Sequence, residues 1–301
     1  MIAYYCDHFV LPLPEGHRFP MSKYSCLRER ILETNTLSPD CLQIPEGATD
    51  DDILRAHTFD YLNKIKHGTL SDKEVRRIGF PWSPQLVERS RRSSGGTISA
   101  CQTALIDGVS ANLAGGTHHA CADHGEGYCV FNDSAIAARA IQYADLAQKI
   151  VIIDCDVHQG NGTADITDGD KSIYTFSIHG EKNFPFRKVA SDLDIGLPND
   201  TDDETYLDTL QIAVERILYL QQPDLVIYQS GADPYIGDKL GKLSLTKHGL
   251  AQRDRLIFEM CHSEHIPVAV TMGGGYAVEV DDIVDIHLQT IQIATEFQAR
   301  W

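Results

Sequence analysis

Asp154, Asp156 and His158 stand at alternate positions in Ile152-Ile-Asp-Cys-Asp-Val-His-Gln-Gly-Asn-Gly162, at the end of a β-branched run. Along an extended chain alternate side chains share a face, so two carboxylates and an imidazole project to one side. That is a donor set for a divalent metal, although a charge-lined loop would read the same from this run alone. Asp233, in Ser230-Gly-Ala-Asp233 after a second apolar run, strengthens the metal reading. Asp156, His158 and Asp233 would give three protein ligands with a fourth position left for water, the catalytic form of a zinc site. Iron(II) or manganese would suit the same oxygen-rich donors. A metal so held lowers the pKa of bound water toward about 7 and polarises a carbonyl, which is hydrolytic chemistry.

Two further clusters could serve that chemistry. Gly115-Gly-Thr-His-His119 places His118 and His119 side by side in a glycine-rich loop. Neighbouring imidazoles cannot both be comfortably cationic, so one needs a carboxylate, and Asp154 is spare as a ligand. Gly273-Gly-Gly-Tyr276 combines a tight turn with a phenol that could donate to a developing oxyanion. It lacks the lysine of a phosphate-binding loop and the glycine spacing of a dinucleotide fold.

These residues need strands that end together. Strands are expected at 2–5, 150–155, 173–178, 224–229 and 267–271, and helices at 23–34, 49–65, 83–112, 132–146, 203–221, 246–263 and 279–297. Ser83-Pro84 and Asn132-Asp133 read as helix starts, and Pro223 and Pro267 follow helix ends. The nearly all-apolar run from Asp224 to Gln229 suits a strand covered on both faces. Strands alternating with helices predict an α/β fold with a mainly parallel sheet, in which ligands bind beyond the carboxyl ends of the strands. Three of the polar clusters follow strands as that rule requires. No linker or internal repeat divides the chain, so one domain over 1–301 is expected.

The net charge of −17 over 301 residues argues against general nucleic-acid binding and mildly favours a cationic ligand or partner. The simpler reading is that acidity keeps the protein soluble. Eight scattered cysteines with no Cys-x-x-Cys pair predict reduced thiols and a cytoplasmic location. No signal-peptide pattern or membrane-spanning run is visible, so no membrane association is expected.

Together, Gly115-Gly-Thr-His-His-Ala120, Gly127-Tyr-Cys-Val-Phe-Asn-Asp133, the run at 152–162, Asp233 and Gly273–Tyr276 resemble the histone deacetylase superfamily, with matching pieces from about 16 to 286. The resemblance implies the arginase/deacetylase fold, a central eight-stranded sheet flanked by helices. It implies zinc on Asp156, His158 and Asp233, catalytic His118, His119 and Tyr276, and Asp154 paired with His118. It also implies a structural potassium ion held at Asp154, Asp156, His158, Ser177 and Ile178. Tyr128, Gly127, Leu240 and Gly274 fall at the acyl-lysine channel, where phenylalanine is the commoner occupant of the Tyr128 position.

Two departures refine this. Asn161 stands where many members carry a second aspartate, and an amide cannot stabilise an imidazolium by charge, so His119 should lose its proton more easily. Leu240 stands about where polyamine-selective relatives carry a glutamate. It argues for an acyl-lysine protein or peptide substrate over an acetylpolyamine. His158-Gln-Gly-Asn-Gly162, Gly237–Ser244 and His17–Lys23 resemble class IV members and their bacterial relatives, among which longer acyl groups are also substrates to consider. His124 is expected at the rim as a loop residue, and His179 is considered for the site entrance.

Overall fold

The computed structural model describes residues 1–9 and 11–301. Its strands are β1 (Ala3–Tyr4), β2 (Leu42–Gln43), β3 (Val109–Asn112), β4 (Ile150–Asp154), β5 (Ile173–Gly180), β6 (Leu193–Leu197), β7 (Leu225–Gly231) and β8 (Val268–Gly273). They form one eight-stranded sheet in the order β2-β1-β3-β8-β7-β4-β5-β6, with every pairing parallel. The helices are α1 (Lys23–Glu33), α2 (Asp50–Leu54), α3 (Phe59–His67), α4 (Asp72–Ile78), α5 (Pro84–Asp107), α6 (Asp133–Tyr143), α7 (Asn161–Thr167), α8 (Asp203–Gln221), α9 (Lys247–Ser263) and α10 (Val280–Gln298).

The central strands are apolar throughout because alternate residues serve two cores. Val151, Ile153, Val226, Tyr228 and Val270 pack with residues of α1, α8, α9 and α10. Ile150, Ile152, Leu225, Ile227 and Ala269 pack on the other face with α5 and α6. A third core joins α2, α3 and α4 to Val130 and Phe131, which anchors the loop leading into α6. None of the described helices is long and apolar enough to cross a membrane.

The helix starts are as expected: Ser83 Oγ accepts from Leu86 N and Asn132 Oδ1 from Ala135 N. Two helix expectations need correction. The span 83–112 ends at Asp107, because Gly108 adopts φ 83° and Val109–Asn112 becomes a buried strand between β1 and β8. Four residues are too few to declare a strand by pattern. The span 49–65 is two helices, divided where Thr58 caps α3 through the Tyr61 amide. Strands β2 and β6 and helices α4 and α7 were not anticipated. The strand ends at 154, 231 and 273 nevertheless fall side by side on adjacent β4, β7 and β8, as the chemistry demanded.

Candidate metal centre and active site

Backbone amides aim the acidic side chains. Asp156 N donates to Asp154 Oδ1 (3.0 Å), His158 N to Asp156 Oδ1 (2.9 Å) and Val157 N to Asp233 Oδ1 (2.9 Å). The result is a buried cluster in which donor atoms of Asp156, His158 and Asp233 all lie within 4.8 Å of one another. His158 Nδ1 faces both carboxylates, at 2.9 Å from Asp156 and 3.1 Å from Asp233. Gly274, at φ 60°, completes the floor; any side chain there would strike the Asp233 carboxylate. Gly274 also lines the narrow inner pocket together with Gly127, Tyr128 and Tyr276.

Two carboxylates crowd one imidazole, and their proton affinities divide accordingly. Burial opposes ionisation of Asp156, but His118 and His158 outweigh it and hold that carboxyl well below the usual range. Burial and the Asp156 charge push Asp233 up. Burial alone would depress His158, yet the two carboxylates raise it to about 10. A proton therefore sits where surplus negative charge converges, and a divalent cation answers the same charge with the imidazole neutral. The donor set fits zinc or a similar ion.

The two adjacent histidines differ in partner. His118 Nδ1 meets Asp154 Oδ2 at 2.6 Å, while His119 Nδ1 meets Asn161 Oδ1 at 2.7 Å. Burial lowers His118, but Asp154 and Asp156 overcome it and raise the group to about 9. Burial and the neighbouring His118 and His158 charges push His119 far down. Asn161 Nδ2 donates to Glu126 at 2.8 Å, so its Oδ1 must accept from His119, which assigns the proton to Nδ1 and leaves Nε2 as a base.

Above this floor opens a cavity of about 540 Å³. Tyr128, Gly127, Leu240, Tyr276 and Phe184 line it. Phe184 packs edge-on against His119 with centroids 4.9 Å apart. The Tyr276 amide donates to Asp238 (2.6 Å), which anchors the loop. Burial and the charges of Asp233 and Asp156 raise the Tyr276 phenol well above its ordinary value, keeping it a donor.

Ser177 pairs in register with Asp154, and Ile178 is fully buried beside it. His179, considered for the entrance, is instead buried; its Nδ1 pairs with Ser177 Oγ at 3.0 Å, and burial lowers it to about 4. His124 is a loop residue paired with Asp123, as expected for a bystander.

Three residues escaped sequence reasoning. Lys23 is buried behind Tyr276, where its ammonium donates to the Gly274 carbonyl and lies 5.5 Å from the Tyr276 ring centroid. Glu126 orients Asn161, and Phe184 walls the channel. Only the aromatic pair in Asn183-Phe-Pro-Phe186, just after a strand, carried any local signal.

The family model described as Histone deacetylase domain matches residues 17–291. Histone deacetylase 2 of Arabidopsis thaliana is 30% identical over 270 residues, covering 86% of this chain and 70% of that protein. The acetoin utilization protein AcuC of Staphylococcus aureus is 29% identical over 87% of this chain and 72% of its own. An uncharacterized protein of Picosynechococcus is 46% identical over 95% of both chains. The fold is shared with the crystal structure of a histone deacetylase homologue complexed with SAHA (TM-score 0.83, 22% identity, 100% of this chain and 84% of that one). It is equally shared with a homologue from Aquifex aeolicus (TM-score 0.82, 21% identity, 100% and 84%). With its motifs, fold and relatives in agreement, the chain belongs to the histone deacetylase family, whose members are hydrolytic deacetylases.

Proposed function

We propose that the protein is a zinc-dependent hydrolase that removes acetyl or longer acyl groups from lysine side chains of proteins or peptides. The observation that carries this reading is the buried Asp156–His158–Asp233 cluster at the foot of an aromatic-walled cavity. These three residues hold the metal, which when bound supplies Lewis-acid polarisation of water and of the acyl carbonyl. Tyr276 donates its hydroxyl to the carbonyl oxygen as negative charge develops there. His119 takes a proton at Nε2 from the attacking water, so that the new C–O bond forms with the proton stored on the ring. The C–N bond then breaks as His119 returns that proton to the departing amine nitrogen, releasing a carboxylate and free lysine. His118, kept charged by Asp154, stabilises the tetrahedral stage without giving up its own proton.

The whole chain, 1–301, serves as one catalytic unit in this reading. Asp154, Asp156, His158, Ser177 and Ile178 hold a structural potassium ion at the neighbouring strand ends. The resemblance of the motifs at 158–162 and 237–244 to class IV members supports a relationship to that class. Its eight free cysteines suit the reducing cytoplasm.

The direct test compares an acetyl-lysine peptide with N-acetylputrescine, using protein stripped by chelator and reloaded with zinc. Peptide hydrolysis should vanish on stripping and return with zinc. A strong preference for the polyamine would replace the lysine reading with hydrolysis of small acylated amines.

A further inference from the structure

The mouth of the cavity has the opposite sign to the rest of the molecule. Across a chain of net charge −17, Arg76, Arg77, Lys182 and Lys242 all line this one opening, and all four are exposed. Among the described residues, the sole carboxylate lining it is Glu126, which already accepts from Asn161. Among the described residues, Arg76, Arg77 and Lys242 have no carboxylate within 4.0 Å, and Lys182 reaches only Glu181 at 3.8 Å.

Arg76 and Arg77 lie in the last turn of α4, where cations also complement a helix terminus. That explanation does not extend to Lys182 and Lys242, which sit on loops after β5 and β7. The backbone holds both pairs at the opening. Gly127 N and Tyr128 N donate to the carbonyls of Arg77 (3.2 Å) and Ile78 (2.7 Å), tying the end of α4 to the channel wall. Lys242 Nζ donates to the Lys182 carbonyl at 3.0 Å, joining the two loops.

Resting on the deacylase reading above, we propose that this rim selects acyl-lysine sites flanked by acidic residues. The channel itself is walled by Tyr128, Phe184 and Leu240, which suit the alkyl arm of the lysine. Those walls offer no cation to an anionic acyl end, because the four cations stand at the opening. The anionic groups that answer the rim therefore lie outside the channel, on residues beside the modified lysine. A basic flank would meet four like charges.

Three acetyl-lysine peptides, identical except for Asp/Glu, Ser/Gln or Lys/Arg at the two positions on either side, test this on the zinc-loaded protein. At low salt, kcat/KM should be about tenfold higher for the acidic than for the neutral peptide, mainly through KM. The ratio should shrink in about 0.5 M salt, where exposed charges are screened. The paired reversals Arg76→Glu/Arg77→Glu and Lys182→Glu/Lys242→Glu should each shift preference toward the basic peptide. Equal rates on the three peptides, or a salt-insensitive ratio, overturn the rim proposal while leaving the deacylase reading intact. Failure to hydrolyse any of them overturns both.

Discussion

Arg253 and Asp254 are buried as deeply as Asp156 and Asp233, yet the two groups of charge are arranged in contrary ways. Arg253 donates through Nε and Nη2 to Asp254 Oδ1 (3.0 and 2.8 Å), through Nη2 to Ser230 Oγ (2.9 Å) and through Nη1 to the Gly231 carbonyl (2.6 Å). Tyr228 and Thr290 hydroxyls donate to the two oxygens of Asp254, at 2.5 and 2.6 Å. One cation meets one anion and the hydrogen bonds close on themselves. At the strand ends, three buried carboxylates accept from backbone amides, and among the described residues their only ion-pair partners are imidazoles that change protonation. A closed network specifies a fold; an open one leaves charge for a ligand to answer. The two also touch. Arg253 holds the carbonyls of Gly231 and, at 3.4 Å, of Cys155, so the closed network braces the strand ends that carry Asp233 and Asp156.

Breaking the closed network should give the largest loss of stability. Arg253→Met leaves Asp254 buried and unpaired, which should cost about 3–5 kcal/mol in urea denaturation. Arg253→Met with Asp254→Leu should recover much of that, since neither charge then remains. If the double variant is no more stable than the single one, charge pairing is not what the network supplies. The open site should respond in the opposite manner. Tyr276→Phe removes one oxyanion donor and should slow turnover by about 10²–10³, equivalent to roughly 2.7–4 kcal/mol. Its metal content and unfolding midpoint should match the parent; a lowered midpoint would assign the hydroxyl to structure.

The division also decides what could be read from the amino-acid order. Asp154, Asp156 and His158 were legible because metal-donor side chains recur at alternate positions where an apolar run ends, although β4 itself stops at Asp154 and backbone amides, not strand alternation, aim Asp156 and His158. Asp233 was legible because it follows an apolar run whose two faces are both covered. The helix starts at Ser83 and Asn132 were equally local. Strand β3 was not, since four residues running on from a long helix carry no pattern of their own. Lys23 was invisible for a different reason: its partner, the Gly274 carbonyl, lies 251 residues away. Glu126 looked like any loop carboxylate until the fold brought Asn161 to it. The bulk charge misled in one respect, because an acidic total conceals a cationic mouth.

Removing charge from the open site sharpens the contrast further. Asp233→Asn deletes a carboxylate that burial and Asp156 already hold toward protonation. Chelator-treated protein should therefore gain about 1 kcal/mol of stability from the substitution. The stabilisation that zinc adds to the parent should largely disappear. Thermal melts with chelator and with excess zinc measure both effects. A variant that is less stable than the parent when stripped would mean that the Val157 amide bond to Asp233 matters more than the repulsion.

The smallest expected effect separates charge from orientation at His119. Glu126→Gln keeps an oxygen that can accept from Asn161 Nδ2, so Asn161 Oδ1 still faces His119 and the base stays at Nε2. Turnover should fall by less than about threefold. Glu126→Ala removes the acceptor, and Asn161 is then free to turn its amide nitrogen toward His119. That orientation requires Nδ1 to accept and moves the ring proton to Nε2, where it blocks proton uptake. Turnover should then drop by about tenfold. If the alanine and glutamine variants perform alike, the 2.7 Å bond to Asn161 is set by the surrounding backbone, and His119 is oriented from within the site and not from its rim.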